Sequence, residues 1–239
     1  MKVQVEKVKK EKKITGGTYF SLAMLCFLAL GFDALVGLID YMIFGDLAKE
    51  GFSNYTWYMN ITHWVIVLII WGAAIWYVCN WFYKKNVLNG ILTTVFNKKT
   101  IISILIAIIL STIFTLAEYL FDPGTIPQIV GEFNHFKESF GDKAFIVSAT
   151  QNIYYIFEIA IVVLLLALMQ KAGEEWFHND KIPYGAVGLA FTWGIGHIVH
   201  GGFAALWVMG FSVAAGLLFV LCKKNIWATY IFIWFIFIL

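Results

Sequence analysis

Arginine is absent from this chain, and all 17 of its cations are lysines. Without a guanidinium there is no bidentate clamp for phosphate or carboxylate. No glycine-rich phosphate loop occurs either, and together these absences weigh against nucleotide or nucleic-acid recognition. Charge of either sign is sparse, at 13% of 239 residues, where soluble domains carry about 25%. The three cysteines, Cys26, Cys79 and Cys222, form no C-x-x-C pair and sit in or beside apolar stretches. They read as small buried hydrophobes rather than as disulfide or metal chemistry. H-E-x-x-H is also missing, so ordinary zinc-protease chemistry has no support.

What the chain has in abundance is apolar surface: 61% of its residues are hydrophobic. One water-soluble core of this size cannot absorb that excess, so much of it must face lipid. The expected fold is therefore an all-α membrane protein, a polytopic bundle of about seven transmembrane helices. The apolar segments run roughly over 18–44, 57–83, 100–121, 146–170, 184–200, 203–222 and 225–239. Residues 1–16 read as a lysine-rich cytoplasmic tail, and 17–239 as a single transmembrane domain with no sizeable soluble part.

Lysine placement sets the expected orientation. With the N-terminus inside, Lys84, Lys85, Lys98, Lys99, Lys171, Lys181, Lys223 and Lys224 fall in cytoplasmic connections, and only Lys49, Lys137 and Lys143 fall outside. That pattern predicts N-in, C-out. Trp57, Tyr58, Trp81 and Tyr83 bracket the second segment as interfacial aromatics. Residues 86–97 are too short to span and read as lying along the inner interface. In the outward loop 122–145, Phe133, Phe136 and Phe140 recur at near-helical spacing and predict a short amphipathic helix over the bundle.

Ionisable side chains inside a membrane are costly and mark function, so these residues carry the information. Asp33 and Asp40 share one face of the first segment. His63 lies in the second, Glu118 in the third and Glu158 well inside the fourth. Glu174 and Glu175 close the fourth on the cytoplasmic side, and His197 and His200 lie near the outer end of the fifth. His197 and His200 also share a face, where they read either as two ligands of a metal with a carboxylate third, or as a pair bonded to neighbouring helices. Glu174 and Glu175 read equally as solvated loop carboxylates beside Lys171 and Lys181.

The strongest local pattern is Gly173-Glu174-Glu175-Trp176-Phe177-His178, followed by Phe191-Thr192-Trp193-Gly194-Ile195-Gly196-His197. Adjacent carboxylates after an apolar helix, then an aromatic four residues before a histidine, resemble the CAAX-protease and bacteriocin-processing family of intramembrane proteases. The small-residue stretch from Gly210 to Trp227 is similar to that family's sixth segment, so the resemblance spans about 165–235. It implies a glutamate-dependent peptidase of the bacterial plasma membrane, acting on a membrane-bound or hydrophobic peptide. Glu174 or Glu175 would activate water, and His197 would hold the oxyanion, with His200 and Glu158 as further candidates. No cofactor is required by that reading, and the partners it implies are the lipid bilayer, the peptide substrate and a membrane-protein partner.

Depth along the helices bears on this assignment. If helices four and five turn back near residue 181, His197 stands level with residue 165, and Glu174 is displaced by about 13 Å at 1.5 Å per residue. Cooperation of Glu174 with His197 then needs a broken or re-entrant fifth helix, for which Gly185, Gly188, Gly194 and Gly196 provide the means. Two other classes stay open: an inactive relative acting through a membrane-protein partner or in bacteriocin self-immunity, and a small transporter component using Asp33, Glu118 and Glu158 as an ion relay.

Overall fold

The computed structural model describes residues 14–48, 55–85, 98–121, 127–200 and 202–238. The described residues are helical, with no strand among them. In chain order they form α1 (Gly16–Phe44), α2 (Trp57–Lys84), α3 (Lys98–Phe121), α4 (Gln128–Phe140), α5 (Ala144–Phe177), α6 (Tyr184–Leu189), α7 (Gly202–Leu221) and α8 (Ile226–Ile238). A π turn over Ala190–Gly194 and a 3-10 turn over His197–His200 continue α6.

Four helical stretches are long and apolar enough to cross a membrane: Gly16–Leu47, Trp57–Lys84, Lys98–Ala117 and the run Gln128–Phe177 that joins α4 to α5. Two shorter apolar helices cover Ala205–Leu221 and Ile226–Ile238. The lysine-rich stretch 1–13, the expected interfacial segment 86–97 and the side chains of Glu118 and His200 lie outside the described residues.

α5 is the central post. From Ile161 to Met169 every side chain is buried, because this stretch is apolar on all sides and must be surrounded to hide each face. α1, α2, α4, α6 and α8 all pack on it. Its polar Gln170 is fully buried yet satisfied: Nε2 donates to the Ile182 carbonyl at 2.8 Å, and Oε1 accepts from the Gly185 amide at 3.0 Å. That side chain fixes the α5–α6 turn by supplying the backbone partners an open helix start lacks. Cys26, Cys79 and Cys222 are free thiols, two of them buried.

α4 forms where the phenylalanine spacing predicts a helix. Phe136 is buried against Trp64, with Phe133 and Phe140 partly buried beside it, so the helix lies over the ends of α2 and α5. The fifth apolar segment is irregular, but its glycines serve close approach. A side-chain methyl on Gly185 would meet the Leu166 carbonyl oxygen of α5 at 2.6 Å, and one on Gly194 would meet Met209 of α7 at 2.9 Å. α7 closes on α6 against backbone: a methyl at Gly216 would stand 2.5 Å from the Ala186 Cα and 2.6 Å from its backbone N. Backbone cannot yield as a flexible side chain can, so Gly216→Ala is expected to cost about 1–3 kcal/mol, read as a lowered midpoint of reversible unfolding in detergent.

Candidate functional site

Polar groups that lie far apart in the sequence meet at one place. α1 carries Asp33 and Asp40 on one face, and α2 places His63 opposite them. His63 Nδ1 bonds Asp40 Oδ2, and Nε2 lies 3.0 Å from Asp33 Oδ1. Tyr55, just before α2, donates its hydroxyl to Asp40 Oδ2 at 3.1 Å. His63 and Asp40 are buried completely, whereas the Asp33 side chain is 34% exposed. A neutral imidazole can donate to only one of the two carboxylates, and the doubly protonated ring donates to both.

Asp33 opens into a cavity of about 760 Å³ bounded by α1, α2, α4, α5, α8 and the end of the fifth segment. Glu158 of α5 and His197 line it together with Asp33 and His63. Glu158 is 8% exposed and accepts a hydrogen bond from the Trp193 indole at 3.4 Å. His197 Nδ1 lies 2.8 Å from the Trp193 backbone carbonyl. Nδ1–H therefore donates there, which leaves Nε2 as the basic nitrogen of the neutral ring. Trp193 thus contacts both residues, and it sits in the π turn, a widened turn of the kind often found at functional sites. Asp33, Glu158 and His197 also line a smaller adjoining cavity of about 200 Å³ beside Trp71.

α4 roofs the larger cavity with Glu132, His135 and Phe136. Glu132 accepts from the hydroxyl of Tyr155 and from Gln128 Nε2 at 2.9 Å. Glu132, His135 and Phe136 stand at i, i+3 and i+4, so they share the helix face turned to the space that α1, α2 and α5 leave between them.

Glu174 does not line either cavity. It lies four residues past Gln170, where Lys224 Nζ reaches its Oε1 at 2.8 Å and Lys171 Nζ its Oε2 at 3.0 Å. Gln170 Nε2 adds a third bond at 2.9 Å. Those contacts tie the α5–α6 turn to the α7–α8 turn, where Lys223 and Lys224 adopt left-handed backbone with φ of 58° and 60°. Glu175 is half-buried near Tyr19 and does not line the cavity either. So the sequence candidates separate: Glu158 and His197 come together, and Glu174 and Glu175 stand elsewhere.

Among the described residues, no three histidine, cysteine, aspartate or glutamate side chains converge as a metal-ligand set. The Asp33–His63–Asp40 contact was not read from the sequence, although its signal was there. Two aspartates on one helical face and a histidine in the next apolar segment each need a partner in lipid, and each is the nearest partner the others have. Glu132 carried no such signal, since it sits in a polar loop segment. No family model, no curated protein and no solved structure matches this chain.

Proposed function

We propose that this chain is a multi-pass protein of a bacterial plasma membrane, with about seven spanning helices, N-in and C-out, and a glutamate-dependent intramembrane peptidase of the type it resembles. In this reading Glu158 is the general base and His197 the oxyanion partner. The observation that carries the choice is that Glu158 and His197 line one cavity while Glu174 is occupied by two lysines. The orientation rests on the lysine-rich connections between helices.

The chemistry follows from the cavity. A water held by Glu158 gives it a proton as the oxygen adds to a peptide carbonyl, and the carboxylate is suited to this by its dry surroundings. Charge then develops on the carbonyl oxygen, where protonated His197 stabilises it. The proton taken by Glu158 passes to the departing amine, so the carbon–nitrogen bond breaks without a cofactor. The substrate is a membrane-bound or hydrophobic peptide.

Cleavage of a co-expressed hydrophobic peptide tests this. Glu158→Gln stops cleavage, while Glu174→Gln combined with Glu175→Gln leaves it in place. The opposite pattern would return the role of base to the adjacent carboxylates. A relative that acts only by binding a partner, as in self-immunity, keeps its phenotype in both variants.

The buried Asp33–His63–Asp40 chain favours a second reading, a proton-coupled transporter component, because a histidine between two carboxylates in a membrane helix pair is a proton-relay arrangement. This reading expects pH-linked flux in liposomes that Asp40→Asn alters, and an absence of flux under any gradient rejects it.

A further inference from the structure

The wall of the large cavity is out of electrical balance. Asp33, Glu132 and Glu158 line it, with Asp40 behind His63, and no lysine lines it among the described residues. His63, His135 and His197 line it too, and even with all three protonated they offset only three of these four charges. Carboxylates withdrawn from water without cations are costly, so a positively charged occupant is favoured. Much of the remaining wall is aromatic, including Trp64, Phe136 and Tyr154, whose faces attract cations.

Two acceptors also stand open to a ligand. Gln151 lines the cavity, and its Oε1 is buried without a hydrogen-bond partner among the described residues. Glu158, 8% exposed, accepts only from Trp193 among the described residues, through Oε1. Its other oxygen accepts from none of the described residues. A buried acceptor left unmade costs free energy that a donor-bearing ligand recovers.

We propose that this cavity binds the ammonium group of a lysine carried on an apolar peptide, with Asp33 and Glu132 as its counter-ions and a peptide N–H on Gln151 Oε1. Glu158 remains for water. The choice of a peptide rests on the peptidase reading. It is also favoured over an amine lipid by charge, since a phospholipid headgroup would bring its phosphate into a cavity that no lysine lines among the described residues, in a chain without arginine.

The test uses the full chain in phosphatidylcholine nanodiscs and a labelled leucine–alanine helical peptide with one central lysine. Its twin carries norleucine at that position. The lysine peptide is expected to bind about tenfold tighter, as one charged hydrogen bond in a dry site provides. Asp33→Asn with Glu132→Gln should erase most of that preference without loss of helical circular dichroism. If the double variant does not fold, Glu132→Gln alone, which still accepts from Tyr155, must reduce the preference. Equal binding of the twins, or a preference that survives these substitutions, overturns the proposal. So does displacement of the lysine peptide by phosphatidylethanolamine in the disc. Cleavage without lysine preference refutes this inference alone, whereas lysine-selective binding without cleavage refutes the peptidase reading alone.

Discussion

Replacing Glu158 by glutamine should lower the rate of peptide cleavage by about 10²–10⁴-fold, the usual worth of a positioned general base. The substitution isolates proton transfer. Glutamine keeps the volume and an acceptor oxygen for the Trp193 indole, which now reaches Glu158 at 3.4 Å. It takes away only the capacity to accept a proton from water. The comparison with Glu174→Gln is informative because that carboxylate already receives Lys224 at 2.8 Å, Lys171 at 3.0 Å and Gln170 at 2.9 Å. Its neutralisation should loosen the α5–α6 and α7–α8 turns and lower the thermal midpoint, leaving the rate constant of folded protein within about threefold. Rate constants on a quenched-fluorescent peptide in nanodiscs, normalised to folded protein, separate the two effects. Full activity in Glu158→Gln would remove Glu158 from the mechanism.

The long apolar runs were legible because lipid imposes a length and leaves few places to stop. α1 begins at Gly16, capped by Thr15, and α2 ends at Lys84, close to the edges that hydrophobicity alone predicts. α4 was legible for a different reason: three phenylalanines at helical spacing in a polar loop demand a surface to cover. The site was legible only in part. Sequence shows which residues are ionisable and roughly how deep each one lies, but pairing across helices depends on how each helix is rotated about its axis. In α5 that information is erased, since residues apolar on every side have no face to read. The adjacent pair Glu174 and Glu175 drew attention as a motif. Depth pointed the other way, to an acid nearer the level of residue 165, and Glu158 is the residue that lines the cavity with His197. The glycines of the fifth segment are ambiguous for a similar reason. A glycine that permits a break and one that permits close packing look alike until the neighbour, here Leu166, Met209 or Ala186, is known.

His63→Ala is expected to destabilise the bundle by about 3–5 kcal/mol, the range for removing one partner from a buried ionic group. The imidazole bridges Asp40, which is fully buried, and Asp33. Without it, among the described residues, Asp40 keeps just the Tyr55 hydroxyl at 3.1 Å, and its Oδ1 already lacks a hydrogen-bond partner. Two carboxylates would then face each other across a cavity in a region from which water is largely withdrawn. Lost packing volume alone contributes less and does not depend on Asp40, so a double-mutant cycle distinguishes the causes. In the Asp40→Asn background the uncompensated charge is already gone, and the added cost of His63→Ala should shrink by about half or more. Reversible unfolding in mixed detergent micelles measures all four proteins. If His63→Ala costs the same in both backgrounds, the histidine holds α1 and α2 together by shape, and the carboxylate–imidazole–carboxylate chain is not what stabilises that helix pair.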